Sequence, residues 1–154
     1  MTTATVLRPA TLDDLAAIER VVDRAFRPYL VRLGREPAPM TADHRAAIAS
    51  SYVVLLTEND SVVGVLVAID ETDHLLVETV AVDPDTHGRG YGRRLMDHAE
   101  HHARRLGHAQ VRLYTNAAMT ENLSLYPHLG YTELGRATRD GFSRVYFVKR
   151  LTDA

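Results

Sequence analysis

Residues 80–95 read VAVDPDTHGRGYGRRL. Three glycines, Gly88, Gly90 and Gly92, alternate after an apolar run that ends in Asp83-Pro84. Beyond them Leu95, Met96, Ala99, Ala103 and Leu106 recur at helical spacing. The pattern is strand, glycine loop, helix N-terminus. The first N–H groups of a helix have no intrahelical partner, and the positive end of the helix dipole stands behind them. Such a junction suits an anionic phosphate. Arg89, Arg93 and Arg94 sit on the loop and first turn, where an acid is the ordinary choice and a cation opposes the dipole. Positive charge at this end makes sense if an anion docks.

The loop departs from two common phosphate binders. A dinucleotide fingerprint begun at Gly88 needs glycine where Arg93 stands, and no G-x-x-x-x-G-K-[ST] segment occurs. The run His87-Gly88-Arg89-Gly90-Tyr91-Gly92, directly after a V-A-V-D-P strand end, resembles the pyrophosphate-binding motif of the GCN5-related N-acetyltransferase (GNAT) superfamily. That family usually begins the motif with Gln or Arg. His87 changes the side chain there and leaves the backbone cradle intact.

Residues 110–131, QVRLYTNAAMTENLSLYPHLGY, are similar to the family's next segment, a strand and a short helix ending in L-Y-x-x-x-G-[FY]. The resemblance implies acetyl-CoA as acetyl donor and places Tyr126 near the thioester sulfur, where it returns a proton to the departing thiolate. The family has Asn seven residues before this Tyr; here that residue is Met119. Asn122, on the same helix face as Tyr126, and Asn116 are the two amides available to replace it. The resemblance also implies a V-shaped gap between the fourth and fifth strands. There the backbone of Val80, Ala81 and Val82 pairs with the pantetheine arm as with an added strand. The Val82 N–H is the expected donor to the thioester oxygen. The implied cofactor set is completed by the whole run His87–Arg93 with Asn122 and Tyr126.

Glu78 lies within LLVETVAV. A carboxylate among such neighbours either faces solvent or lines a cleft. An acceptor amine arrives as an ammonium ion and must lose a proton before it attacks; Glu78 or water takes it. In this family the connection between the first two helices walls the acceptor pocket. Here that connection carries Arg27, Arg32, Arg35 and Glu36 beside Tyr29. Its arginines either hold an acceptor carboxylate or are solvated. His98, His101 and His102 share one helix segment without an HExxH spacing, which favours a polar solvated face over a metal site.

These residues need elements to hold them. Ala4–Arg8 reads as a first strand. Thr11 begins a helix that carries Leu12, Leu15, Ile18, Val22, Ala25 and Phe26 and stops at Pro28. Residues 28–40 hold three prolines and a glycine, the composition of a stiffened loop, and Thr41 is the expected cap of a short helix through Ile48. Strands follow over 52–57, 61–69 and 74–82, a long helix over 90–106, a strand over 110–114, a helix over 120–129 and a closing hairpin around Arg139-Asp140-Gly141. The order β-α-α-β-β-β-α-β-α-β-β is similar to that of GNAT proteins. It predicts an α/β fold with a mixed sheet of about seven strands, four helices and one parallel crossover.

The 154 residues are most simply one domain, 1–154. Hydrophobic content of 45% and charged content of 25% are ordinary for a globular protein. A formal charge of -2 argues against a general nucleic-acid binder. With no cysteine, disulfides, thiolate metal sites and a cysteine nucleophile are excluded, which favours the direct attack in a ternary complex that the resemblance implies. No apolar run reaches membrane-spanning length, and the expected setting is cytoplasmic. The expected partners are acetyl-CoA, an amine acceptor and, from the family, a second copy in a homodimer. The rival reading is a CoA-binding sensor of the same fold with no working acid.

Overall fold

A computed structural model describes residues 4–152. Seven strands form one sheet: β1 (Thr5–Pro9), β2 (Tyr52–Glu58), β3 (Ser61–Asp70), β4 (Leu75–Val82), β5 (Gln110–Asn116), β6 (Thr132–Arg139) and β7 (Phe142–Arg150). The spatial order is β1-β2-β3-β4-β5-β7-β6. Every neighbouring pair is antiparallel except β4–β5. The β2–β3 turn places Asn59 and Asp60 at positive φ (50° and 71°), and the β6–β7 turn does the same with Asp140 and Gly141 (54° and 81°). Such turns match the right-handed twist of the strands they join.

Four helices of seven or more residues pack on this sheet: α1 (Leu15–Phe26), α4 (His44–Ser50), α5 (Tyr91–Arg105) and α6 (Thr120–His128). α1 buries Ile18, Val21 and Val22 against Val53, Leu55, Val65 and Val67 on one face. α5 buries Leu95, Met96, Ala99 and Ala103 against Leu66, Val111 and Phe147 on the other. A Cβ at Gly64 would lie 3.1 Å from Leu95 Cδ1 and 3.2 Å from Leu56 Cβ, so glycine lets α5 approach closely. Among the described residues no helix is long and apolar enough to cross a membrane.

Two irregularities shape the site. β4 and β5 pair only at Leu75–Val111, Leu76–Arg112 and Val77–Leu113, and then part. In the β3–β4 ladder Ala68 faces Val77 but Val67 faces Thr79, so Glu78 is an extra residue, a β-bulge. Leu75 and Val77 join the α5 core, whereas Ala81 joins the α1 core. The bulge thus reverses the sidedness of β4 at the residue where β5 leaves it.

Several expectations are corrected. Residues 28–40 are not a plain loop. A 3-10 turn (Arg27–Tyr29) continues into α2 (Leu30–Leu33), Gly34 at φ 71° ends it, and α3 (Ala38–Thr41) follows. Pro28 fits the first turn of a new helical segment, where its missing N–H costs nothing. Asp43, not Thr41, caps α4 by accepting from the Ala46 N–H at 3.0 Å, and the Thr41 hydroxyl turns back to the Ala38 carbonyl. His98 and His102 are not a solvated face. The Tyr52 hydroxyl and His98 Nε2 are 2.8 Å apart, and the His102 ring stacks on Tyr52 at 3.6 Å. Burial lowers the pKa of both imidazoles.

Candidate active site

The glycine loop has the geometry of an anion cradle. Gly88 and Gly90 stand at φ 86° and 77°, where L side chains are strained, and a Cβ at either would meet nothing within 4 Å. The last paired N–H before the loop is His87, to the Pro84 carbonyl, and the next is Arg94, to Gly90. The six N–H groups from Gly88 to Arg93 therefore have no hydrogen-bond partner among the described residues. They lie at the start of α5, with open space beside Gly88 and Gly90, which fits a pyrophosphate.

The arginines divide. Arg89 is ion-paired to Glu58 of β2, which also accepts from the Tyr91 hydroxyl. The Arg89 hydrogen bond, then that of Tyr91, lowers the Glu58 pKa. Arg94 donates to the Thr5 hydroxyl. Arg93 is exposed and has no hydrogen bond among the described residues, which leaves it available to a ligand.

From this loop the gap between β4 and β5 leads to a cleft. Val77–Val80 of β4 and Leu113–Asn116 of β5 form its two sides. Tyr126 forms part of the wall from α6, and Phe26, Leu33 and Pro37–Pro39 close it from the α1–α3 connection. Val80 lines the cleft with Tyr126, whereas Val82 lies beyond it, beside Gly92. The Tyr126 ring packs edge-on against Tyr131 at 5.9 Å and against Phe147 at 5.8 Å. Its hydroxyl has no protein partner among the described residues and borders the cleft. Burial, with a small addition from Tyr29, pushes that phenol up to about 12, so it keeps its proton.

Glu78 enters the cleft from the bulge and forms no ion pair among the described residues. Both amides expected near the cofactor line the same space. Asn122 is held by the Thr115 hydroxyl at 3.0 Å, and Asn116 Oδ1 accepts from the Ala118 N–H at 2.8 Å. Met119, buried at the start of α6, lies against the Thr115 hydroxyl and the Asn122 amide through its sulfur.

The arginines of the α1–α3 connection are consumed by the fold. Arg27 pairs with Asp23 at 2.7 Å. Arg32 pairs with Glu121 of α6 at 2.8 Å, and the Tyr29 hydroxyl donates to the same carboxylate. The Arg32 hydrogen bond is the main cause that holds Glu121 at a pKa of about 2. Arg35 lies over the Phe142 ring at 3.6 Å and donates to the Asp140 carbonyl. These contacts strap this wall of the cleft to α6 and to the β6–β7 turn. The cation that does line the cleft is Arg144 of β7, packed over Tyr114 at 4.3 Å. The sequence shows no motif around it; only the strand register carries it there.

Comparison with known proteins agrees with this geometry. A mycothiol acetyltransferase of Saccharopolyspora erythraea is 33% identical over 135 residues, which cover 72% of this chain and 43% of that protein. The chain thus spans less than half the length of this relative. The ribosomal-protein-S18-alanine N-acetyltransferase from Escherichia coli superposes with a TM-score of 0.79 at 20% identity, covering 98% and 96% of the two chains. The PaiA N-acetyltransferase from Thermoplasma acidophilum, solved with coenzyme A, superposes with a TM-score of 0.81 at 14% identity, covering 96% and 99%. The model of the acetyltransferase (GNAT) family matches residues 17–131, more than half of the sequence. With the glycine cradle, the splayed strands and this match in hand, the chain belongs to the acetyltransferase (GNAT) family.

Proposed function

We propose that the protein moves an acetyl group from acetyl-CoA to a primary amine by direct attack in a ternary complex. The observation that carries this reading is one cleft holding an unpartnered Tyr126 hydroxyl and Glu78, reached through a strand gap from an empty-handed row of N–H groups. Acetyl-CoA, when bound, supplies a thioester whose carbonyl carbon takes the amine nitrogen as its C–S bond breaks. The Gly88–Arg93 N–H groups hold the pyrophosphate, and Arg93 adds charge to the phosphates. The free β4 edge orients the pantetheine arm, with a backbone N–H at the level of Val80 meeting the thioester oxygen. Asn122 or Asn116 supplies the amide that Met119 cannot. Glu78, directly or through a water, takes a proton from the ammonium. Tyr126 gives its proton to the thiolate. An ammonium loses two protons on becoming an amide: one ends on the thiol and the other in solvent.

The test is calorimetry of acetyl-CoA with the wild type and with Gly90→Glu, together with thiol release across a panel of amines. Binding should fall at least tenfold in a folded Gly90→Glu variant, because a side chain and a negative charge enter the cradle. Equal affinity for ADP and acetyl-CoA would instead indicate a general phosphate binder. Tight acetyl-CoA binding with no amine-dependent thiol release would leave a sensor module.

A further inference from the structure

The acceptor cleft does not end at Tyr114 and Arg144. Both residues also line a second groove, on the sheet face opposite α5. Val111, Leu113, Val145 and Phe147 belong to the α5 core, so strand alternation turns Arg112, Tyr114, Arg144 and Tyr146 to the other face. α1 covers that face only over β2–β4.

Arg112, Arg136, Arg139 and Arg144 line the groove with Tyr114 and Tyr146, Arg144 lies over the Tyr114 ring, and among the described residues no Asp or Glu lines it. Their charges are poorly balanced. Arg112 bonds the neutral Gln110 side chain at 3.0 and 2.9 Å. Arg139 forms no ion pair among the described residues. Arg144 meets Asp140 only at 3.8 Å, and Arg136 pairs with the exposed Glu133 at 3.1 Å. Asp73, next to the groove-lining His74, is bound to that histidine at 2.6 Å.

The dimensions match an extended chain. Measured along β7, the groove runs from the level of Phe142, opposite Arg139, to that of Val148, opposite Arg112. At ~3.3 Å per residue those six steps span about 20 Å, the reach of roughly six extended residues. Four guanidiniums over that length repel one another unless an anionic ligand lies among them.

We propose that the acceptor is the N-terminal amine of a peptide whose next residues are acidic. Its amine lies beside Glu78 in the strand gap and its carboxylates lie along the arginine groove. The proposal rests on the acetyl-transfer reading and adds the acceptor's class. Arg144 stands at the junction, where the first acidic side chain would meet it, and the tyrosine rings give the backbone an apolar floor.

The test uses three pentapeptides with free N-termini: Ala-Asp-Glu-Asp-Gly, Ala-Asn-Gln-Asn-Gly and Ala-Lys-Lys-Lys-Gly. Thiol release should favour the acidic peptide over the neutral one by about tenfold or more in kcat/KM, and the margin should shrink as salt rises. Arg139→Glu and Arg112→Glu should each raise KM for the acidic peptide about tenfold, since reversal turns attraction into repulsion. Both should shift the neutral peptide less than about twofold and leave acetyl-CoA affinity by calorimetry as it was. Equal efficiency for acidic and neutral peptides overturns the proposal, as does a free amino acid that outcompetes the acidic peptide. So does a single-stranded oligonucleotide that binds the groove more tightly. Anisotropy of a C-terminally labelled acidic peptide, measured without acetyl-CoA, separates the two claims. Loss of acidic preference there refutes the groove, whereas failure to bind acetyl-CoA refutes the transferase reading and leaves the peptide result to stand by itself.

Discussion

Tyr126→Phe isolates the proposed acid. The ring is fixed by Tyr131 and Phe147, and the hydroxyl has no protein partner among the described residues, so phenylalanine keeps the packing and removes one O–H from a cleft wall. No buried group is orphaned by the change, so unfolding should move by less than about 0.5 kcal/mol. Acetyl-CoA affinity should hold for the same reason. A lost acid catalyst costs 10²–10⁴-fold, and with a phenol near 12 the driving force for proton donation is modest, so the lower end applies. The expected fall in kcat is about 10²-fold, or ~2.7 kcal/mol in the barrier. The sign with pH follows from the raised value. The acid stays loaded until the medium approaches pH 12, so the wild type should show no alkaline loss attributable to Tyr126 below about pH 10. The assay is thiol release at saturating acceptor, with single-turnover mixing to confirm that chemistry limits. A Phe variant that turns over at the wild-type rate under those conditions makes Tyr126 a packing residue.

Glu78→Gln keeps the bulge and removes the base; kcat/KM should drop about tenfold to a hundredfold near neutral pH and recover in part at high pH, where more amine is already deprotonated. A flat, undiminished profile would give the proton to water. Glu121→Gln cuts the Arg32 and Tyr29 strap; acceptor KM should rise several-fold while acetyl-CoA affinity holds, and the change should be absent if the α1–α3 connection is held by its apolar contacts alone. Arg8 bonds Asp14 twice at 2.9 Å, and Asp14 also accepts from the Thr11 N–H at 2.8 Å. The Arg8 hydrogen bond is the main cause that lowers the Asp14 pKa to about 2, although burial opposes it. A depressed folded value stabilises above the unfolded pKa and is lost as pH falls through the folded one. The shift is worth at most ~2.4 kcal/mol, and about 1–2 kcal/mol after allowance for a 40% exposed Arg8 side chain. Asp14→Asn should therefore destabilise by that amount at pH 7 and by little at pH 2; an equal loss at both values in denaturant melts refutes it.

The fold was largely legible because its signals are local. Val-rich runs with Asn-Asp and Asp-Gly turns mark the strands, and the glycine alternation marks the loop between β4 and α5. Residues 28–40 misled because prolines are as suited to the first turn of a short helix as to a loop. His98 and His102 misled because Tyr52, which buries them, is distant in sequence. Tyr126 and Glu78, singled out one by motif and one as a carboxylate out of place, both line the cleft. The bulge at Glu78 was not legible: a single extra residue in a ladder changes no composition and appears only when Val67 and Ala68 are paired with their partners. Arg144 was missed for the same reason, since register across β5 and β7 brings it beside Asn116. The arginines of the α1–α3 connection were seen, but Asp23, Glu121 and Phe142, which occupy them, were not.

The early parting of β4 and β5 makes the sheet an unfinished object. Three residue pairs join its two halves, and beyond them buried backbone faces a gap with no strand to meet it. A ligand that fills this gap is then a structural member as well as a reactant, and its binding free energy adds to the fold's own. At a concentration 100 times its dissociation constant it would contribute about 2.7 kcal/mol against unfolding. The amides of Val80 and Val82, which point away from β3, would report this directly. They should exchange with heavy water faster than their burial suggests while the gap is open, and slow once it is filled. On the acetyl-transfer reading, the protein's heat resistance would then gauge donor supply, separately from any acetyl group transferred.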